Sequence, residues 1–167
     1  MEKVIIFLLG VIFLSLLFPE ANPDLFWHLA SARKAQEMGR LFLSEETFSF
    51  SKPGIFWLNY EWLFQWIVWK IYRWGDFRWL VLFRAALMTG SLFALDRYVA
   101  RILGELPSAR GCLARLANLA MAYMILFPRA SLQPELFSLL FLVLFFFLRD
   151  NFIEKTGHGV KLGIDGA

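Results

Sequence analysis

The sequence lacks the motifs by which several classes of soluble enzyme are recognised. Its one cysteine, Cys112, excludes an internal disulfide and a cysteine-based metal site. There is no phosphate-binding glycine loop, no His-Glu-x-x-His motif and no Cys-x-x-Cys pair. The formal net charge is only +3, and no basic block is interleaved with the aromatic residues, which argues against nucleic acid as a partner.

Apolar residues, in contrast, are abundant. Hydrophobic types make up 59% of the 167 residues, phenylalanine alone contributes 19, and the mean hydropathy is +0.56. A soluble domain is usually about half apolar or less. The composition therefore predicts an integral membrane protein of the all-α, polytopic class.

Four apolar segments are predicted to cross the membrane, at about 4–18, 77–99, 113–127 and 136–148. The first is short for a hydrocarbon core roughly 30 Å thick, which takes about 20 helical residues. The alternative is a signal peptide, but no small-x-small cleavage site follows the segment, which favours an uncleaved anchor. We therefore expect residues 1–150 to form the membrane domain and residues 151–167 to be a polar cytoplasmic tail or a truncated end.

The basic residues predict an orientation. They cluster between the second and third predicted spans, at Arg97, Arg101, Arg110 and Arg115. By the positive-inside rule, both termini are then cytoplasmic and the long segment 19–76 faces outward. That outer loop carries six basic residues of its own, against the rule, but loops near 60 residues are where the rule loses force.

The outer loop 19–76 is predicted to be ordered. All seven tryptophans lie between residues 27 and 79, as is typical of the membrane–water boundary. Two helices are indicated, 24–38 and 60–74, and each is followed by a glycine that can end it. Both are expected to lie in the interface, although a competing interpretation makes 57–74 a fifth span. Between them, an alternating stretch that breaks at Pro-Gly indicates a short extended piece and a turn.

The first of these helices begins with Asn22-Pro23-Asp24-Leu25-Phe26-Trp27-His28, directly after the first predicted span. Asn22 is a suitable N-cap and Pro23 a suitable first residue, so Asp24 and His28 would lie four residues apart on one helical face. A carboxylate and an imidazole held at the membrane surface suit chemistry on a lipid-borne substrate. The alternative is that Asp24 is simply an acidic residue favoured by the helix dipole.

These residues, followed by 47–50, 57–63 and Gln133-Pro134-Glu135-Leu136-Phe137-Ser138, resemble the N-terminal part of the GT-C superfamily of membrane glycosyltransferases. The similarity is to the bacterial dolichyl-phosphate-mannose-protein mannosyltransferase-like proteins and runs from residue 1 to about 150. It implies a bacterial or archaeal plasma membrane. It also implies transfer of a sugar from a polyprenyl-phosphate carrier to an acceptor on the extracytoplasmic side.

In that family, the acidic residue of the first outer loop binds or deprotonates the acceptor, and Asp24 is the matching position. Some members carry a second acidic neighbour or bind a divalent metal there, whereas here the neighbours are Pro23 and Leu25. The cofactor is therefore left unknown, with Asp24 as the position where a cation would bind. Because members of the superfamily are several-fold longer, we expect this chain to be an N-terminal fragment or a reduced relative that is inactive alone.

Five further residues are candidates for the site. Glu61 begins an interfacial helix on the same side as Asp24 and completes a catalytic set with His28. Arg84, inside an apolar span, is a candidate partner for a substrate phosphate or carboxylate, and the alternative is that it snorkels to the head groups. Arg129, Gln133 and Glu135 lie near the outer mouth of the last spans and are the other predicted substrate-binding residues, although an interfacial arginine needs no such role.

A second class of function remains open from the sequence. The chain is then a non-catalytic four-span membrane protein whose tryptophan-rich outer loop binds lipid or a partner subunit. The reading frame downstream of Ala167 discriminates between the two hypotheses, because further spans would support a fragment of an enzyme and a stop would support the interaction hypothesis. We also expect Glu61 to lie close enough to Asp24 and His28 to share a polar pocket.

Overall fold

A computed structural model describes residues 2–19, 22–103 and 109–156, and over these ranges the chain is helical. The α-helices are α1 (Glu2–Ser15), α2 (Pro23–Glu37), α3 (Trp62–Leu103), α4 (Ala109–Leu126) and α5 (Glu135–Thr156). A 3-10 turn, Phe127–Arg129, follows α4. The prediction of an all-α chain is confirmed for the described residues, none of which lies in a β-strand.

Three helical segments within the described ranges are long and apolar enough to cross a membrane: Trp62–Ile102, Arg110–Arg129 and Glu135–Ile153. Helix α1 has 14 residues and is about 21 Å long at 1.5 Å per residue, which is shorter than the hydrocarbon core. The structure thus supports an integral membrane protein with three candidate spans. Helix α5 continues to Thr156, into the predicted tail 151–167, and residues 157–167 of that tail lie outside the described residues.

Helix α3 is interrupted at Gly75 and Asp76, whose backbone angles are not helical. The interruption divides it into an N-terminal arm, 62–74, and a C-terminal arm, 77–103. A Cβ atom at Gly75 would collide with the indole of Trp79, and Asp76 has φ 56° and ψ −155°, a conformation that is costly for any residue except glycine. The helix predicted to end at Gly75 therefore does so, but the chain enters the next helix without a loop.

The segment between α2 and α3 forms a turn rather than a strand pair. Glu45 and Phe56 make one antiparallel bridge, and the main-chain N–H groups of Glu46 and Gly54 donate across it to Ile55 and Glu46, each at 2.8 Å. Gly54 adopts φ 76°, the left-handed conformation for which glycine is favoured. The predicted Pro-Gly turn is confirmed, whereas the extended backbone lies at the bridge outside residues 47–54, which instead bend at Phe48 and Phe50.

Side-chain contacts define how α1, α4 and α5 run along the C-terminal arm of α3. Helices α1 and α4 are antiparallel to that arm, and α5 is parallel to it. Glu2, Asp96, Arg97, Arg115 and Asp150 meet at one end, here called the arginine end. Ser15, Arg84, Tyr123 and Phe137 mark the other, the pocket end.

The outer faces of these helices are apolar, as a lipid-facing surface requires. Helix α5 leaves Phe141 61% exposed, Phe145 58% and Leu148 68%, while its Leu136 and Val143 are buried. In water, such a continuous apolar surface would mark an aggregation or interaction site. Lipid contact along α5 explains the exposure, consistent with its assignment as a candidate span.

Candidate active site

The start of α2 is built as the sequence predicts. The Asn22 side-chain oxygen accepts a hydrogen bond from the main-chain N–H of Asp24 at 3.0 Å, and Pro23 occupies the first helical position. Asp24 and His28 face the same side and line a pocket of about 250 Å³ at the pocket end of the bundle. Glu61, Gln133 and Glu135 line this pocket too, so the structure brings together five of the seven predicted site residues.

His28 is the most buried member of the pocket, with 4% of its surface exposed. Its ring lies edge-on to Phe64, with 4.9 Å between the ring centroids, and 5.2 Å from Trp27. Burial lowers the pKa of His28 from its ordinary value of 6.5, and this outweighs the carboxylates of Glu61, Asp24 and Glu135, which raise it. The imidazole is therefore neutral at pH 7.

The Nδ1 atom of His28 has no hydrogen-bond partner among the described residues. The nearest carboxylate oxygen, Glu61 Oε2, lies 3.9 Å away, which is too far for a hydrogen bond but close enough to attract an imidazolium. A buried polar atom without a partner is uncommon in folded proteins and suggests a role toward a ligand. In this position, Nδ1 is able to form a hydrogen bond with a molecule in the pocket.

Glu61 is held at the pocket by a buried amide pair next to it. Asn59 and Gln65 donate to each other's side-chain oxygens at 2.8 and 3.2 Å, and both are less than 5% exposed. The reciprocal bonds satisfy both amides and fix the corner at which the chain enters the N-terminal arm of α3. The Glu61 side chain itself is 41% exposed, so it reaches the rim of the pocket rather than its base.

Gln133 and Glu135 enter the pocket from the segment that leads into α5. Gln133 Nε2 donates to Asp24 Oδ2 at 3.4 Å, a long bond between residues 109 positions apart. Glu135 begins α5, where an acidic side chain is favoured by the helix dipole. The pocket is acidic, with Asp24, Glu61 and Glu135 around it and no lysine or arginine among its lining residues.

The predicted site includes a divalent cation as an alternative at Asp24. Among residues 2–19, 22–103 and 109–156, no group of three or more His, Cys, Asp or Glu side chains converges closely enough to hold a metal ion. The groups around Asp24 are carboxylates, an imidazole and an amide, all of which can form hydrogen bonds. Neutral His28 and the carboxylates can accept a proton from a hydroxyl group that enters the pocket.

Arg84 lies outside this pocket and has a different partner from the one expected. It is 6% exposed, and its Nη2 donates to the main-chain oxygens of Leu16 at 2.6 Å and Phe18 at 2.7 Å. These carbonyls follow the end of α1, where they have no partner within the helix. Through these two bonds, Arg84 caps α1.

Arg129 also lies apart from the pocket. It is exposed in the 3-10 turn between α4 and α5, and none of the described residues pairs with its guanidinium. Neither of the two predicted arginines therefore lines the acidic pocket. Arg84 is buried, whereas Arg129 is exposed.

An apolar groove of about 530 Å³ lies beside the pocket. Its lining includes Asn22, Leu25 and Phe26 from the start of α2, and Phe77, Leu80, Val81 and Arg84 from the C-terminal arm of α3. The first turn of α2 thus contributes Asp24 to the acidic pocket and its neighbours to the groove.

Comparison with protein-family models, with curated proteins and with solved structures finds no match for this chain.

Proposed function

We propose that this chain is the N-terminal part, or a reduced relative, of a membrane glycosyltransferase that moves a sugar from a polyprenyl-phosphate carrier to an extracytoplasmic acceptor. The observation that carries the proposal is the meeting of Asp24, His28 and Glu61 in one pocket at a bundle end. Nothing in the spacing of these residues along the chain requires Glu61, Gln133 and Glu135 to join the Asp24–His28 face. An interaction surface would not need a buried imidazole with an unpartnered ring nitrogen.

In the proposed reaction, the acceptor hydroxyl oxygen attacks the anomeric carbon of the carrier-bound sugar. The bond between that carbon and the phosphate oxygen breaks, and the polyprenyl phosphate leaves with the electron pair. Asp24 takes the hydroxyl proton, Gln133 orients the Asp24 carboxylate, and His28 with Glu61 accepts hydrogen bonds or a proton beside it. A general base of this kind typically contributes about 10²–10⁴-fold in rate.

The apolar groove suits the carrier chain, because its walls are mainly aliphatic and aromatic and it adjoins the residues that would face the sugar. For the carrier phosphate, we assign Arg129 ahead of Arg84. The exposed guanidinium of Arg129 has no partner among the described residues, whereas Arg84 Nη2 already donates to two main-chain oxygens.

The same proposal makes α1 the fourth span and places the pocket end outside the cell. The ends of α1 contact Arg97 and Arg84 of α3, so α1 runs beside about half of the C-terminal arm 77–103, and its outer face exposes Phe7 and Leu14. Local thinning of the bilayer accommodates a short span at a modest cost. Helices α2 and 62–74 are then interfacial, as predicted, and both termini are cytoplasmic.

Cysteine labelling tests this topology. A cysteine introduced at Ser49 in a Cys112→Ser background should react with an impermeant reagent added outside intact cells, because Ser49 lies in the predicted outer loop. A cysteine at Asn151, at the arginine end, should react only after the cells are opened. Labelling of Ser49→Cys only from the cytoplasmic side would place the pocket inside and remove the case for an extracytoplasmic acceptor.

Asp24→Asn tests the function. The amide keeps the shape of the side chain but cannot take a proton. In membranes from cells that express the native reading frame with this substitution, the rate of transfer from a polyprenyl-phosphate sugar should therefore fall about 10²–10⁴-fold. Asp76→Asn is the matched control, because Asp76 is an exposed aspartate outside the pocket. Near-normal transfer by Asp24→Asn would reduce Asp24 to a helix-terminal acid and favour the interaction hypothesis.

A further inference from the structure

The N-terminal arm of α3 presents a second recessed surface, on the side away from the bundle. Trp66, Lys70, Arg73 and Trp74 line a cleft of about 540 Å³, here called the basic cleft. Their spacing of four, three and one residues places them on one helical face. The opposite face of the arm carries the buried Phe64, Gln65 and Val68, so the basic cleft is not part of the packing core.

The basic residues of the segment 19–76 depart from the positive-inside rule. In the structure, some of them form ion pairs with acidic residues and others do not. Three have carboxylate partners on or next to α2. Arg33 Nε lies 2.9 Å from Glu37 Oε1, Lys34 Nζ lies 4.0 Å from Glu37 Oε2, and Arg40 Nη1 lies 3.7 Å from Glu45 Oε1. For these three, the local acidic residues offset the positive charge.

Lys70 and Arg73 have no such compensation. Among the described residues, no carboxylate lies within ion-pair distance of either side chain. The Lys70 ammonium instead lies 5.4 Å from the ring centre of Trp66, a cation–π contact that positions it without neutralising it. Two uncompensated cations one helical turn apart can both reach a single anionic group.

We propose that the basic cleft binds the phosphate of an anionic phospholipid headgroup. Lys70 and Arg73 supply the positive charge and the hydrogen-bond donors, and no acidic residue lines the cleft to oppose a phosphate. Trp74, which is 84% exposed, and Trp66 supply rings that are stable where acyl chains meet headgroups. The inference does not depend on sugar transfer, since the basic cleft shares no lining residue with the acidic pocket.

The net charge of the headgroup is the basis of the expected selectivity. Phosphatidylglycerol carries one uncompensated negative charge, whereas the choline cation of phosphatidylcholine would lie near Lys70 and Arg73 and oppose binding. The cleft lies directly before the break in α3 at Gly75 and Asp76, where a side chain at Gly75 would collide with the indole of Trp79.

The experiment is a lipid titration of the full chain, purified in a neutral detergent and followed by native mass spectrometry. The unaltered chain should retain phosphatidylglycerol in preference to phosphatidylcholine. Lys70→Gln with Arg73→Gln should weaken retention of phosphatidylglycerol about 30-fold, since each basic residue near an anionic surface contributes roughly fivefold. Retention of phosphatidylcholine should not fall, because the substitution removes two cations that repel its choline group.

The matched control is Arg33→Gln with Lys34→Gln, which removes the same charge from an exposed and acid-paired position. It should leave phosphatidylglycerol binding within about twofold of the unaltered chain, because a surface ion pair contributes little. The charge-conserving exchange Lys70→Arg with Arg73→Lys should retain binding. Equal loss in the control pair, or equal retention of the two lipids by the unaltered chain, would overturn the proposal.

Two further measurements keep the result interpretable. Thermal melting of each variant checks the fold. Brominated lipid quenches tryptophan fluorescence, and the difference in quenching between the unaltered chain and Trp74→Phe reports lipid beside Trp74 in the cleft. Quenching should be stronger with brominated phosphatidylglycerol than with brominated phosphatidylcholine. Equal quenching by the two lipids, or displacement of phosphatidylglycerol by millimolar inorganic phosphate, would refute a headgroup site.

Discussion

Replacing Arg84 with methionine should destabilise the fold by removing the cap of α1. One nitrogen of Arg84 donates to two main-chain oxygens, those of Leu16 and Phe18. A hydrogen bond from a charged group contributes about 1.5–3 kcal/mol, and a carbonyl left without a partner loses that contribution. Because methionine still fills most of the space, the lost packing is small and we expect a loss of about 3 kcal/mol.

The assay is thermal melting of the purified chain in a mild detergent. For a chain of this length, 1 kcal/mol corresponds to about 2–4 °C, so Arg84→Met should lower the melting temperature by about 10 °C. Arg78→Met is the matched control, since Arg78 lies on the same helix and is exposed. If Arg84→Met melted no lower than Arg78→Met, the contact with α1 would be energetically unimportant, and a role of Arg84 toward substrate would regain support.

Two further predictions follow from buried polar groups. Asp96→Asn should lower the free energy of unfolding by about 3–5 kcal/mol, because it leaves the guanidinium of Arg115 buried without its charge partner. The double substitution Asp96→Leu with Arg115→Met removes both charges and should lower it by less. Chemical denaturation measures both values. The pKa of His28 lies below 6.5, so the unfolded chain takes up the proton first and stability should fall as the pH drops below that value. His28→Gln should remove this part of the slope, and an unchanged pH dependence of melting would show that His28 does not cause it.

Local sequence signals were sufficient to locate α2 and the break in α3. Asn22 and Pro23 determine where α2 begins, and Gly39, at φ 66°, follows its end. These are interactions within a few residues, so they can be read from the chain directly. The pairing of Asp24 with His28 on one face follows from the helical period for the same reason.

The partners of Arg84 and Asp96 could not be predicted in this way. Asp96 lies near the end of an apolar segment, where a charged residue ordinarily meets water, but it is 1% exposed, and Arg115 donates to both of its carboxylate oxygens, one of them at 3.0 Å. A charged residue in an apolar segment has the same local pattern whether it meets water, lipid phosphate or another helix. Only the packing of α1 and α4 against α3 distinguishes these outcomes.

The candidate pocket shows the same limit. The sequence indicated Asp24, His28 and Glu61 as one group and Gln133 and Glu135 apart from it. The meeting of the two groups depends on α5 beginning beside the start of α2. The buried pair of Asn59 and Gln65, which fixes the position of Glu61, was not predicted to be a pair. In the sequence, the pair is visible only as one amide residue before the start of α3 and one in its first turn. Many chains that form no such hydrogen bonds have the same pattern.

Helix α3 packs against α1, α2, α4 and α5, and among the described residues the first two helices make their main helix contacts with α3 alone. A ribosome produces α1 and α2 before α3, so the first 60 residues are made without the surface on which they will pack. During that interval, the carbonyls at the end of α1 have no arginine to accept from, and His28 lacks its contact with Phe64. The order of synthesis therefore makes the packing of α3 the step that stabilises the short first helix, whereas the acidic pocket is complete only after α5 has followed.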